Sequence, residues 1–206
     1  MAANLPTAWT ETFLIGITKR DGSEIQYGAI VDPSSLSISG GGYPVESIPN
    51  SAGGRIRKQS PQEDIEISFD IYEVDIVSTT GTGLAQQFEG GTFDTSEPMD
   101  SDNAWPVGVD RARDLYRIAI LFTNDPAATT ASGTTATLTE SRRRFFNNCN
   151  FVGYEESFSD GIAKQTVTFK VPALAKLGTI KNYGFQSGNQ TALVALTAYT
   201  LANYPA

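Results

Sequence analysis

The chain holds 206 residues, 40% of them hydrophobic, with 15 basic and 23 acidic side chains and a formal net charge of −8. Histidine is absent and cysteine occurs once, at Cys149. That excludes an internal disulfide framework, Ser-His and Cys-His nucleophile pairs, and His-ligated zinc.

The length fits one domain, residues 1–206, with enough core to fold without a staple. Met1 to Pro6 carry neither a basic n-region nor an apolar stretch, so no signal peptide is expected. No apolar run approaches the ~20 residues of a membrane helix, and the expectation is a soluble, cytoplasmically made chain with no membrane partner.

In chain order, strands are expected at Thr12–Lys19, Ser23–Val31 and Leu36–Ser39. From Gly40 to Gln62 the chain is rich in Gly, Ser and Pro, longer than the ~12–15 residues usual for an unstructured connection. It reads as a functional or disordered loop. Next, Ile65, Ile67, Phe69 and Ile71 alternate with Glu66, Ser68, Asp70 and Tyr72, the period of a half-buried strand. The apolar phase then slips to Val74 and Ile76, which predicts a bulge near Tyr72 and Glu73. One short helix is expected over Gly83–Glu89, where Leu84 and Phe88 are four residues apart.

Further on, Tyr116–Thr123 puts Tyr116, Ile118, Ile120 and Phe122 on one face. In Pro126–Thr139 six of fourteen residues are Thr and four are Ala, which predicts a mobile surface tip within a loop at about 124–141. Arg144–Phe158 and the alternating stretch Lys164–Val171 form a predicted hairpin around the turn signal Ser159-Asp160-Gly161. Its Gln165, Val167, Phe169 and Val171 share one face, and Lys164, Thr166, Thr168 and Lys170 the other. Thr191–Leu201 fits helix by its Ala and Leu, strand by its Thr and Tyr. The class is mainly β: a sandwich or barrel-forming sheet with one short helix and long loops.

Sites of chemistry do not emerge. Gly81-x-Gly83 lacks the third glycine of a dinucleotide fingerprint. Asp100-Ser101-Asp102-Asn103 lacks the later Gly and Glu of an EF-hand. The pairs Glu63/Asp64 and Glu155/Glu156 point to opposite faces of their strands and cannot converge on one substrate. No enzyme, cofactor or metal is expected. Charge is unevenly spread: twelve acids and no base lie between Lys58 and Arg111, while bases gather at Arg55, Arg57 and Lys58, at Arg111 and Arg113, and at Arg142, Arg143 and Arg144. Such blocks read first as solvated faces that alternate along the sequence and second as pairing between copies of the chain, and either fits better than nucleic-acid binding, which needs a basic face.

The hairpin from Phe151 to Ala173, the glycine-rich loop delivering into Asp64–Asp75, and a short helix between strands together resemble the tail tube (major tail) proteins of long-tailed bacterial or archaeal viruses. The resemblance is architectural and spans about two-thirds of the chain. It implies a β-sandwich subunit that closes into hexameric rings, which stack into a tube carrying viral DNA during ejection. Implied partners are further copies, tape-measure, tail-tip and tail-terminator proteins, and DNA that slides past unbound. The implied location is a virion tail assembled in a host cytoplasm. Alternatives are another virion or injection-system part (a terminator, a contractile-system tube, a capsid decoration protein) and a carbohydrate-binding adhesive sandwich with Trp9, Trp105 and Tyr43 as platforms.

Within the tube expectation two residue sets stand out. Glu66, Ser68, Asp70, Lys164, Thr166 and Thr168 are the expected lumen wall, opposite the core face. Gly42, Tyr43, Arg55, Arg57 and Lys58 belong to an expected inter-subunit loop.

Overall fold

The computed structural model describes residues 12–26, 31–72, 114–159, 162–173 and 182–204. The helix expected at 83–89, the slip at Val74 and Ile76, the acidic stretch around Asp100, Arg111 and Arg113, and Trp9 and Trp105 all lie outside them. Ten strands are described: β1 (Thr12–Lys19), β2 (Glu24–Gln26), β3 (Ser37–Gly40), β4 (Val45–Pro49), β5 (Arg55–Gln59), β6 (Ile65–Tyr72), β7 (Leu115–Thr123), β8 (Ser141–Ser159), β9 (Ile162–Val171) and β10 (Tyr183–Gly188). A 3-10 turn at Pro33–Ser35 precedes β3 and is capped by Asp32, whose side chain accepts from the Ser34 amide. The protein is mainly β, as the period-2 patterning predicts.

Eight strands form one antiparallel sheet in the order β2-β1-β7-β8-β9-β6-β3, with β10 also paired to β8. Among the described residues β4 and β5 pair only with each other. The 19-residue β8 is the spine. Its first half lies between β7 and β10, and its second half pairs with β9. The register slips between Tyr116 and Ile118 on the β7 side, and between Phe151 and Gly153 on the β9 side. Asn148, within the first slip between Phe146 and Cys149 on β8, takes a positive φ of 57°. Bulges bend and twist a strand, and here the bent spine lets the two halves of the sheet close over one core.

That core joins Ile15 and Ile17 of β1, Ile118 and Ile120 of β7, Ile67 and Phe69 of β6, and Val167 and Phe169 of β9. The Tyr116 ring meets the Phe169 ring edge-on at 5.9 Å. Burying each such aliphatic or aromatic side chain stabilises the fold by ~1.5–3 kcal/mol. The alternation of β6 and β9 is obeyed residue by residue: Ile65, Ile67, Phe69, Ile71, Val167, Phe169 and Val171 are buried.

β7 departs from alternation because both of its faces are covered. Residues 124–140 and 191–204 lie over its outer face, where Ala119, Leu121, Ala131 and Leu193 form a second cluster. The Thr- and Ala-rich stretch is largely exposed but is pinned to the sheet at two points, since Ala131 and Thr135 are buried, as is Asp125 just before it. Small side chains allow close approach, and Asp125 holds the turn by accepting from the amides of Ala127 at 2.9 Å and Ala136 at 2.6 Å. Thr191–Leu201 is neither helix nor regular strand. Its backbone is satisfied by other partners: Leu196 N–H donates to Ser132 O at 2.8 Å, and Thr135 N–H to Leu193 O at 3.1 Å.

Two buried arginines fasten this outer layer. Arg143 donates to the carbonyls of Ala131, Gly133 and Val194 and to Gln186 Oε1. Arg117 donates to Asn147 Oδ1 at 2.8 Å and Thr197 O at 2.5 Å, and its guanidinium lies over the rings of Tyr199 and Tyr204. Burial lowers the pKa of both guanidiniums, yet from an ordinary value so high that they stay charged at neutral pH. The run Arg142-Arg143-Arg144 is thus split by the sheet. Arg143 serves the outer layer, while Arg142 and Arg144 point the other way along with Phe146.

Candidate functional site: a projecting hairpin and a polar sheet face

Residues 40–62, expected as an irregular loop, form an ordered ribbon. Gly40 and Gly41 take positive φ of 84° and 75°, values that glycine reaches without strain. They turn the chain out of β3, and Gly41 N–H donates back to Asp64 O at 3.3 Å. The neck closes through Ser60 N–H to Pro44 O at 2.8 Å and Glu63 N–H to Gly42 O at 2.9 Å. Tyr43 O–H reaches Gln62 Oε1 at 3.2 Å. At the tip, Asn50 Oδ1 accepts from the amides of Ala52 and Gly54, and Gly53 has φ 79°. This Asx turn was the legible signal for a hairpin.

β4 and β5 pair from Val45 opposite Gln59 to Pro49 opposite Arg55. Every residue of both strands is exposed. Pairing puts Arg55 and Arg57 with Val45, Ser47 and Pro49 on one face, and Ile48, Ile56, Glu46 and Lys58 on the other. Ile48 is 45% exposed and Ile56 58%. An isolated two-stranded ribbon is marginal in water, and among the described residues nothing buries the apolar side chains of this arm.

The second set is brought together as expected on one face. In register, Ser37, Ser68 and Thr168 form one row, Asp70 and Thr166 a second, and Tyr72 and Lys164 a third. Thr166 Oγ1 donates to Asp70 Oδ1 at 2.6 Å, and the Lys164 ammonium pairs with Asp70 Oδ2. Lys170 lies 3.9 Å from Glu66, with both half exposed. Asp32 joins from the turn before β3. Its carboxyl is held below the usual range, first by hydrogen bonds from Ser34 and to a lesser degree by Lys164. The Lys164 ammonium is pushed up, chiefly by its hydrogen bond to Asp70. The face is therefore small hydroxyls plus charges that neutralise one another.

The remaining candidates are structural. Cys149 is fully buried, and desolvation raises its pKa, the opposite of an activated thiol. Asp64 accepts the Ala173 amide at 2.8 Å, and Glu156 accepts from Gln165 Nε2 at 3.1 Å. Among the described residues no group of acids and cysteine is placed to hold a metal, and no helix is long and apolar enough to cross a membrane.

No protein-family model matches the sequence, and neither does a curated relative. Among solved structures the chain is similar to one in the extended sheath–tube complex of the extracellular contractile injection system PVC: TM-score 0.46, 14% identity, covering 90% of this chain and 94% of that one. It is similar to a chain in the baseplate of the anti-feeding prophage, AFP: TM-score 0.47, 9% identity, covering 89% and 97%. It is also similar to Hcp1 from Flavobacterium johnsoniae: TM-score 0.31, 12% identity, covering 88% and 98%.

Proposed function

We propose that this chain is a structural subunit that polymerises into a tube. The observation that supports this best is the β4–β5 arm, ordered along its whole length yet with no residue of either strand buried. An apolar pair, Ile48 and Ile56, at the middle of such an arm is stabilised when a neighbouring copy covers it. Among the described residues β2, β3 and β10 each leave a sheet edge unpaired, the second requirement of a polymer, since open edges invite pairing with other chains.

In this reading copies close into hexameric rings, rings stack through the arm, and the face of Glu66, Ser68, Asp70, Lys164, Thr166 and Thr168 lines the channel. Internally paired charges and hydroxyls suit a wall past which a polyanion slides, because unpaired cations would hold its phosphates. The tube belongs to a viral tail or to an injection system of related build, and in a virus the cargo is DNA.

The test is direct. Purified protein examined by negative-stain microscopy, alone and with preformed tube ends as nuclei, is expected to give rings or uniform tubes. Replacing residues 42–60 with a short Gly-Ser linker should leave the far-ultraviolet spectrum strand-rich and abolish tube growth. Normal polymerisation of the shortened protein would remove the arm from the contact, and strict monomers under all nucleated conditions would remove the tube.

A further inference from the structure

The β4–β5 arm and the turn end of the β8–β9 hairpin leave the sheet at opposite ends. The neck of the arm closes at Glu63 and Asp64, just outside Ile65, which pairs with Val171 of β9. At the other end of β9, Ala163 pairs with Phe158 of β8. From Val171 to Ala163 is eight residues, about 26 Å of strand. Ile56 is seven residues from Glu63, so it lies no more than about 24 Å from the neck. The arm therefore falls short of the Phe158 end of its own copy.

That end is an open strand edge. The β7 ladder stops where Leu115 meets Asn150, and from Val152 to Phe158 the β7-side edge of β8 has no strand partner among the described residues. Val152 is 56% exposed and Phe158 83%, and Glu155, Glu156 and Ser157 are exposed as well. This stretch carries two carboxylates and no base, whereas β5 carries three bases and no acid. None of these five charges forms an ion pair with a described residue. Pro44 precedes β4 and Pro49 ends it, so the proline-free β5 is the strand of the arm with a usable edge.

The side-chain patterns match on that edge. Ile48 lies opposite Ile56, and Glu46 opposite Lys58, on one face of the arm. On β8, Glu156 and Phe158 share a face, and Glu155 and Ser157 the other. Adding β5 antiparallel with Ile56 opposite Phe158 continues an apolar row of Ile48, Ile56 and Phe158. The next row becomes Glu46, Lys58 and Glu156, alternating in sign. Arg57, on the other face, lies opposite Ser157 and diagonal to Glu155, within reach of a long side chain. A one-residue slip moves Ile56 to the face away from Phe158.

We infer that β5 of one copy adds to the β8 edge of a second copy at Val152–Phe158, with Ile56 against Phe158 and Lys58 against Glu156. The contact is head-to-tail, and it extends a sheet by strand addition. This rests on the self-assembling reading and names the surface that receives the arm.

The test mixes full-length Ile56→Cys and Phe158→Cys copies under oxidising conditions, the buried Cys149 remaining inert. A disulfide-linked mixed dimer is expected, and far less of it when Ser157→Cys replaces Phe158→Cys. No mixed link, equal linking at Ser157, or closure within one chain carrying both cysteines overturns the inference. Charge reversal is the second measurement. Arg57→Glu with Lys58→Glu should weaken association on the order of tenfold. Adding Glu155→Lys and Glu156→Lys to the same chain should restore it, and failure to do so counts against the contact. Tubes seen by microscopy without the mixed link sink this contact and leave the tube standing. A mixed link in protein that never forms tubes upholds the contact and removes the tube.

Discussion

Arg143 Nη1 donates to the carbonyl of Val194 at 2.8 Å, while Nε of the same guanidinium donates to Ala131 O at 2.6 Å. One side chain on β8 thereby joins two irregular segments that are sixty residues apart in sequence and have no ladder of their own. Both are fixed to the outer face of β7 and β8 by this fork, whose planar set of five donors no other side chain offers.

Arg143→Ala should therefore cost about 3 kcal/mol or more, since it leaves the buried carbonyl of Ala131, and those of Gly133 and Val194, without this donor and opens a void. Denaturant unfolding read by fluorescence checks it. Arg142→Ala, at the exposed neighbour, should stay within about 0.5 kcal/mol. Equal losses at the two positions would mean that the outer layer does not depend on this fork.

Gly16→Ala tests the inner end of the same layer. A methyl group there would lie 1.8 Å from Glu24 Oε1, so the carboxylate must move. Glu24 accepts from both the amide and the hydroxyl of Ser132. The expected result is a loss of about 1–3 kcal/mol, together with faster amide exchange at Ala131 and Ser132. Unchanged exchange there would show that Glu24 does not tether the segment.

On the polar face, Asp70→Asn should cost more than Glu66→Gln. Asp70 holds both Thr166 and Lys164, whereas Glu66 faces only a half-exposed Lys170 at 3.9 Å. We expect about 1–2 kcal/mol for the first and under about 0.5 kcal/mol for the second. Equal small effects would mean the Asp70 cluster is solvated in solution.

The same cluster sets a pH dependence. The pKa of Lys164 is raised in the folded state, mainly by Asp70. Its contribution is fully present below the unfolded lysine value and is lost as pH rises through the higher folded one. Comparing unfolding midpoints at pH 9 and in the alkaline range above 10.5, Lys164→Met should lose part of the fall shown by the parent protein. An identical alkaline slope would deny the lysine that role.

Cys149 should resist alkylation at pH 8 in the native protein and react at once in denaturant. Its thiol is fully buried, and burial raises its pKa. Rapid native reaction would place it outside the core.

The strands are legible in the sequence wherever one face meets the core and the other meets water. Thr12–Lys19 is β1 as read, and the alternation from Ile65 to Ile71 reports β6 directly. Reading fails where polar residues are buried for their hydrogen bonds. Arg117, Arg143 and Asp125 look like surface residues, and their neighbours Ala131 and Thr135 look like a loose tip. All five are buried: the polar ones satisfy backbone groups of the outer layer, and Ala131 packs in its small apolar cluster. The β4–β5 ribbon escaped for the opposite reason, since it buries nothing and so has no apolar rhythm to read. Of the candidate site, only the sharing of one sheet face by Glu66, Ser68, Asp70, Lys164, Thr166 and Thr168 was legible, because period-2 alternation and strand register fix it.

The order of pairing has a consequence for how the chain is made. β1 finds its partner in β7, roughly a hundred residues later, and β6 waits nearly as long for β9. At synthesis rates of ~5–20 residues per second, that is a wait of ~5–20 seconds. Meanwhile β1 has the short β2 and β6 the short β3 beside it, while Ile15, Ile17, Ile67 and Phe69 still lack the β7 and β9 side chains that complete the core. Such distant pairing also folds slowly once the chain is complete. A nascent chain in this state exposes open sheet edges, which invite pairing with other chains. The cell making it must keep newborn chains apart until β8 and β9 have emerged, and crowding many ribosomes on one message works against that.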